Sequence, residues 1–130
     1  MSGNAVVVIE DFATSHFLKS FAKKYKHHWD VTLDAIIAEL TRIEALLQTD
    51  KATIISETET IKIIKTQFRV VGTKESAKTS GNRTIVAWHT EEHRVSVLLV
   101  YSKTDLASKN ETAAWQKLIT EHYPEYSNIL

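Results

Sequence analysis

Apolar positions in the first fifty residues follow a strand pattern and then two helical patterns. Val6–Ile9 is a short apolar run that ends at two acidic residues, which is typical of a buried strand that leads into a helix. Over residues 17–25, aromatic side chains recur every four positions and predict an amphipathic helix. Asp30 is a plausible cap for a second, longer helix. Its apolar residues at helical spacing are Leu33, Ile36, Ile37, Leu40, Ile43, Leu46 and Leu47. We expect the two helices to form a hairpin.

After Lys51 the pattern changes to β-branched residues and to alternation, so we predict strand. Within 64–70, one face carries Ile64, Thr66, Phe68 and Val70, and the other carries Lys65, Gln67 and Arg69. Alternation of this kind predicts one buried face and one wet, basic face. The turn-rich stretch Gly72–Asn82 follows and is expected to be a mobile loop.

Two further strands and a final helix complete the predicted fold. Arg83–His89 and Arg94–Lys103 read as strands of a hairpin around the short polar loop 90–93. Asn110 is a plausible cap for a last helix, which Pro124 stops. The order strand, helix, helix, three strands, helix predicts a single α+β domain over residues 1–130, with Trp88 and Trp115 as packing aromatics.

Charge adds a basic middle segment to this picture. The chain has 16 basic and 16 acidic residues, which excludes a uniformly basic nucleic-acid binder. Residues 62–83, however, carry six basic groups and one acidic group. The cations that come from one strand, the next loop and the hairpin that follows, and that form the most informative cluster, are Lys65, Arg69, Lys74, Lys78, Arg83 and Lys103. Neighbouring strands lie about 5 Å apart, so these groups can converge on a polyanion such as a phosphodiester backbone. Alternatively, these cations bind no polyanion and simply lie on a solvated strand face and in a lysine-bearing loop.

Several classes of chemistry are missing from the sequence. There is no cysteine, so disulfides, thiolate nucleophiles and cysteine-ligated zinc are excluded. No run reaches the roughly 20 apolar residues of a membrane span, and Ala5–Ile9 is too short for a signal peptide, so we expect a cytoplasmic protein without a membrane partner. His89 and His93 flank a turn rather than share a helix face, and no phosphate-binding loop is present. We therefore expect no metal and no small-molecule cofactor.

Three segments stand out by their order and spacing: Phe-Ala-Lys-Lys-Tyr at 21–25, Lys-Thr-Ser-Gly-Asn-Arg at 78–83, and Val-Leu-Leu-Val-Tyr-Ser-Lys at 97–103. Together they resemble the RelE/ParE superfamily of bacterial toxins, nearer its RelE-like branch. The resemblance runs from about Val6 to Leu118. It implies a small twisted antiparallel sheet, an N-terminal helical hairpin on one face, a C-terminal helix, and a cleft that receives mRNA on the ribosome.

The chemistry implied by this resemblance is metal-free cleavage of mRNA, in which a 2′-hydroxyl attacks the adjacent phosphate. Arg83 stands where a strand arginine of the family contacts the scissile phosphate, and Lys103 stands where a second basic residue supports it. Tyr101, on the strand end that carries Lys103, is the third catalytic candidate. The residues expected to bind RNA are Lys65, Arg69, Lys74 and Lys78. The C-terminal acid or base of the family has only His122, Tyr123 and Tyr126 as possible counterparts, and this role stays unassigned.

The resemblance also implies a cognate antitoxin protein, besides mRNA and the ribosome. A sheet edge could accept an added strand, and grooves near Trp29, Ile36 and Leu40 could accept a helix. Acidic residues of the partner would be drawn to Lys65, Arg69 and Lys74. Three alternatives stay open: a ParE-like inhibitor of DNA gyrase, a non-catalytic binding module on a toxin fold, and an unrelated small α+β domain.

Two expectations about Arg83 can be tested against a structure. Arg83 and Lys103 share a face only if Arg83 pairs with Tyr101. An odd hairpin loop gives that register, whereas a loop of four residues without a bulge pairs Arg83 with Val100 and separates the two cations. As a wet strand arginine, Arg83 is also expected to contribute little to stability.

Overall fold

A computed structural model describes residues 4–103 and 110–130 as an α+β fold built on a five-stranded mixed sheet. The strands are β1 (Val6–Ile9), β2 (Ala52–Glu57), β3 (Ile61–Phe68), β4 (Asn82–His89) and β5 (Arg94–Ser102). The helices are α1 (Asp11–Ala13), α2 (Lys19–Tyr25), α3 (Trp29–Thr41), α4 (Ile43–Leu46) and α5 (Glu111–His122). A π-helical turn, Thr14–Leu18, joins α1 to α2, and a 3-10 turn, Lys26–His28, joins α2 to α3. A last 3-10 turn spans Pro124–Tyr126.

The strand order in the sheet is β1-β5-β4-β3-β2. Strands β2 to β5 pair antiparallel, but β1 pairs parallel to β5, with Val6 opposite Arg94 and Ile9 opposite Val97. The expectation of a wholly antiparallel sheet is therefore wrong at this edge. The helices that follow β1 carry the chain to the far edge of the sheet, where β2 begins. The chain then returns through β3 and β4 in antiparallel steps, and β5 arrives beside β1 in the same direction as β1.

The segment after Lys51 forms two strands rather than one, so the predicted count of three strands in this half is wrong. The hydroxyl of Thr58 accepts hydrogen bonds from the amides of Thr60 and Ile61 at 3.3 and 3.1 Å. The amide of Thr58 in turn donates to the carbonyl oxygen of Ile61. A threonine side chain thus closes the β2–β3 turn without glycine or proline. For this reason the sequence pattern predicted no turn at this position.

One face of the sheet is covered by the N-terminal helices, which agrees with the predicted helical hairpin. Phe21 and Trp29 stack with their ring centroids 4.7 Å apart, and both rings lie against Phe68 of β3. Ile36 and Leu40 of α3 extend the same buried cluster. The predicted long second helix breaks at Arg42, so that α4 is a separate turn of helix.

The other face is covered by α5, which begins after the Asn110 cap as predicted. The Asn110 side chain accepts a hydrogen bond from the amide of Ala113 at 3.1 Å. Trp115 and Ile119 are fully buried against Ile63 and neighbouring sheet residues. The prediction that the Lys65 side of β3 is a wet face is therefore wrong, because α5 packs on it; Lys65 itself is half-buried.

A β-bulge at Leu98 sets the register of the β4–β5 hairpin. His89 pairs with Arg94, so the loop has four residues, Thr90–His93. The pairing shifts by one residue between Ile85 and Val86, which leaves Leu98 as the extra residue on β5. A four-residue loop alone would pair Arg83 with Val100. The extra residue at the bulge shifts the register by one, so Arg83 pairs with Tyr101.

In the part of the chain that the structure describes, no helix has both the length and the apolar character to cross a membrane.

Candidate functional site

Arg83 and Lys103 lie on the same face at the end of the sheet where β4 begins and β5 ends. Arg83 is opposite Tyr101 on one side and opposite Gln67 on the other. The amide of Lys103 donates to the carbonyl oxygen of Gly81, so the pairing continues past the end of β5. A Cβ atom at Gly81 would lie 3.7 Å from Cβ and Cγ of Lys103, which places the lysine stem directly over this glycine. The expected shared face is confirmed.

Arg83 is buried, with only 5% of its surface exposed. Its guanidinium donates hydrogen bonds to the carbonyl oxygens of Asn82 at 3.0 Å and Lys78 at 3.5 Å. The expectation of a wet strand arginine is therefore wrong, because the loop that leads into β4 folds over the side chain. Neither of these two acceptors is a carboxylate. The buried guanidinium is therefore held here by the dipoles of backbone carbonyl groups.

Tyr101 is fully buried, and its hydroxyl donates to Oε2 of Glu111 at 2.6 Å. Burial, together with the hydrogen bond to Glu111, raises the pKa of Tyr101 far above its usual value. A phenol held protonated in this way does not act as a general base near neutral pH. Tyr101 instead connects the sheet to the first turn of α5.

Glu111 is a functional candidate that the sequence analysis missed. It is the first residue of α5, next to the Asn110 cap, and it is partly exposed. Carboxylates are common at helix N-termini, where they interact favourably with the helix dipole, so the sequence pattern gave no reason to single it out. Only the packing of α5 on the sheet brings it to the Tyr101 hydroxyl.

The remaining predicted cations divide between this face and other surfaces. Lys65 is opposite Ile85, two positions along the strands from the Gln67–Arg83 pair, and so shares the face of Arg83. Lys78 forms an ion pair with Asp50 at 2.6 Å, and this ammonium lowers the pKa of the aspartate. The structure thus brings Lys65, Arg83 and Lys103 to one face, while Lys78 reaches outward to the β2 side.

Arg69 and Lys74 line a groove on the α3 side of the molecule. The groove has a volume of about 600 Å³ and lies between α3 and the loop that follows β3. Thr32 and Ile36 form part of its wall on the helix side. Trp29 and Leu40, which the sequence analysis placed beside such a groove, are instead buried in the core, where they hold the helices on the sheet.

The C-terminal candidates for acid or base lie elsewhere. Tyr123 donates its hydroxyl to the carbonyl oxygen of Leu98, and Tyr126 is hydrogen-bonded to Nε2 of His89 at 2.8 Å. His122 is stacked on the ring of Phe12, with centroids 3.8 Å apart. Because a strand rises about 3.3 Å per residue, His89 is about 20 Å from Arg83 along β4. Tyr126 is therefore at the other end of the sheet.

Within residues 4–103 and 110–130, no group of three or more histidine, aspartate or glutamate side chains is placed to hold a metal ion.

Comparisons with known proteins give no relative for this chain: no protein-family model, no curated protein and no solved structure matches it.

Proposed function

We propose that this protein is a RelE-like toxin that cleaves mRNA by attack of a 2′-hydroxyl on the adjacent phosphate. The observation that carries the proposal is the shared face of Arg83 and Lys103, beside the Tyr101–Glu111 pair. Two cations in diagonal positions of adjacent strands lie about 7–8 Å apart, a span that one phosphate group and its neighbour can bridge. Lys65, on the same face, extends the positive surface along the strands.

Three parts of the reaction each have a residue suited to them. As the bond from phosphorus to the 2′ oxygen forms, the bond to the 5′ oxygen breaks, which leaves a 2′,3′-cyclic phosphate, and the departing 5′ oxygen would take its proton from water. The guanidinium of Arg83 donates to two neutral carbonyl oxygens, and it would stabilise the negative charge that develops on the phosphate. Lys103, which is exposed, would make the first contact with the RNA backbone. Glu111, whose carboxylate accepts the hydrogen bond of Tyr101, would accept the proton of the 2′-hydroxyl.

Access to Arg83 requires a local movement. The segment 78–82 supplies the carbonyl oxygens that Arg83 contacts. A phosphate would replace these weak neutral acceptors with a charged one, which makes a stronger hydrogen bond. RNA binding is therefore expected to be coupled to a shift of segment 78–82.

The proposed antitoxin partner fits the groove on the α3 side. Arg69 and Lys74 border this groove, and Ile36 and Phe68 give it an apolar floor. An amphipathic segment with acidic residues on one side would match both features. Binding there would be faster at low salt than at high salt, because exposed charges are screened.

The test is controlled expression of the full chain, followed by growth, translation and mapping of mRNA ends. We expect induction to stop translation and to produce new 5′ ends on ribosome-bound mRNA. Lys103→Ala and Glu111→Gln should each reduce cleavage by at least about tenfold, since each removes a charged group from the reaction. Lys117→Ala is the matched control, because Lys117 is an exposed lysine on the outer side of α5. Normal growth and intact mRNA after induction would contradict the proposal.

A second candidate, a non-catalytic binding module on a toxin fold, is favoured by one observation. Arg83 is buried, and the hydroxyls of Tyr101 and Tyr123 are both engaged in internal hydrogen bonds. The same expression experiment separates the functions. Unchanged growth would favour the module, whereas growth arrest with intact mRNA would favour a ParE-like inhibitor, which a DNA gyrase supercoiling assay would then test.

A further inference from the structure

The two edges of the sheet are protected to very different degrees. The β2 edge carries a bulge between Ile54 and Ser56, and Glu57 at its end lies 3.7 Å from the ammonium of Lys62. Bulges and charges of this kind prevent a second strand from adding to an edge. The β1 edge, Val6–Ile9, has neither: its four residues are three valines and one isoleucine.

The outer side of β1 presents free backbone groups beyond Ala5, whose outward amide donates to the carbonyl oxygen of Thr41 at the end of α3. The amides of Val6 and Glu10 donate to the carbonyl oxygens of His93 and Val97, which shows that the even-numbered residues bond inward to β5. By alternation, the N–H and C=O groups of Val7 and Ile9 point outward. Among the described residues, no strand pairs with this side of β1.

The side chains beside these groups are apolar and exposed. Val6 is 65% exposed and Val8 is 39% exposed, although both lie within a regular strand. Val7 and Ile9 point to the opposite face, where they pack against the core below α3. A strand that offers both unpaired backbone groups and exposed valines is a template for another strand.

Charges at the two ends of β1 indicate which strand fits. Glu10 follows the last residue of β1, and Arg94 of β5 is paired with its first residue, Val6. Both lie on the face of Val6 and Val8, because side chains alternate along the strand and paired residues share a face. One end of the edge therefore carries a carboxylate, and the other carries a guanidinium, one nitrogen of which lies 3.3 Å from Glu92 of the adjacent loop.

We propose that β1 pairs antiparallel with β1 of a second copy of this chain around a two-fold axis. A register centred on Val8 brings Val7 opposite Ile9 of the second copy, and Val6 opposite Glu10. Glu10 of each chain then approaches Arg94 of the other across Val6. Antiparallel symmetry brings a Glu10 carboxylate towards an Arg94 guanidinium twice, which is the self-complementarity that a two-fold interface requires. The two sheets become one of ten strands.

The dimer does not depend on the proposed toxin function, so it is tested by mass in solution rather than by toxicity. Sedimentation equilibrium of the full chain over a wide concentration range should show a monomer–dimer equilibrium. Val8→Lys should raise the dimer dissociation constant by more than about tenfold, because it sets two ammonium groups opposite each other at the axis. Val8 is exposed, so the fold should persist. Ile54→Lys, on the β2 edge, is the matched control and should leave the dimer unchanged.

Charge reversal tests the proposed orientation. Glu10→Arg should weaken the dimer because it places two cations together at each end. Combining Glu10→Arg with Arg94→Glu should restore it, because the ends are again opposite in charge. Circular dichroism should show the same folded spectrum for each variant. A double reversal no better than Glu10→Arg alone would overturn the antiparallel arrangement.

Amide exchange identifies the strand involved. The outward amides of Val7 and Ile9 should become protected as concentration rises, while the amide of Val8 should be protected throughout. A wild-type chain that stays monomeric at the highest concentration would overturn the proposal. So would a dimer that the Val8→Lys variant leaves unchanged. If the monomer instead loses binding of a different protein in that variant, the edge belongs to that protein and not to a second copy.

Discussion

The hydroxyl of Tyr123 donates a hydrogen bond of 2.9 Å to the carbonyl oxygen of Leu98, the residue that the bulge in β5 leaves without a partner on β4. Leu98 and Leu99 both point to the α5 face and both are fully buried. The bulge therefore reverses the alternation along β5, and it puts Tyr101 and Lys103 on the face of Arg83. A tyrosine from the C-terminal end thus supports the register on which the candidate site depends.

Tyr123→Phe should lower the free energy of unfolding by about 1–2 kcal/mol, because it leaves the buried Leu98 carbonyl without this donor. Urea denaturation followed by circular dichroism measures the change. Tyr25→Phe is the control, since Tyr25 is a partly exposed aromatic residue on α2. Equal stability of the wild type and Tyr123→Phe would show that the bulge carbonyl finds another donor.

Arg83→Ala should destabilise the fold by about 2–3 kcal/mol, in contrast to the expectation from sequence. The change removes a buried side chain and leaves the carbonyl oxygens of Asn82 and Lys78 without these donors. Lys103→Ala, at an exposed position, should change stability by less than about 0.5 kcal/mol. Thermal denaturation of both variants checks the contrast. Because of this difference, Lys103→Ala gives the cleaner test of function, and a fully stable Arg83→Ala would contradict the burial of the guanidinium.

His89 should make the fold less stable in mild acid. Burial is the main cause that lowers the pKa of His89, with the charge of Arg94 acting in the same direction and Glu92 opposing both. Since the folded pKa is below the unfolded value of about 6.5, the unfolded chain binds the proton more readily, and stability falls as pH decreases through and below that value. Urea denaturation at pH 5 to 8 measures this. His89→Gln should flatten the dependence of stability on pH. His27→Gln, at an exposed position, is the control and should leave that dependence unchanged.

The sequence predicts those elements whose signals are local. The Asn110 cap, the spacing of Trp115 and Ile119 and the stop at Pro124 define α5, and the structure confirms it. The parallel pairing of β1, the bulge at Leu98 and the β2–β3 turn have no local signal. They depend on which strands meet across the sheet, and none of them uses a glycine or a proline.

The candidate site divides in the same way. Strand alternation made the shared face of Arg83 and Lys103 conditional on the hairpin register, and the bulge at Leu98 supplies that register. The position of Glu111 beside Tyr101 depends on the packing of α5 on the sheet, and the loop that ends at Asn82 folds back over Arg83. Charge alone could not show that Lys78 pairs with Asp50, since that contact joins two loops separated by two strands.

The Tyr101–Glu111 hydrogen bond should couple the two residues energetically. Tyr101→Phe and Glu111→Gln should each lower the free energy of unfolding by about 1.5–3 kcal/mol, because each weakens or removes a hydrogen bond to a charged acceptor in a buried setting. The double variant should cost less than the sum of the two, by about 0.5–3 kcal/mol, since both changes break one interaction. Urea denaturation of the four proteins gives this coupling.

The same four proteins separate structure from chemistry at Glu111. If Glu111 only anchors α5, Tyr101→Phe should reduce mRNA cleavage as much as Glu111→Gln. If the carboxylate accepts the proton of the 2′-hydroxyl, Tyr101→Phe should retain most of the activity at temperatures where it is folded, because the carboxylate is still present. Glu111→Gln should lose at least about tenfold under the same conditions. Glu111→Asp, which keeps the charge on a shorter side chain, should recover part of the activity, and cleavage by Glu111→Gln at the wild-type rate would exclude Glu111 as the base.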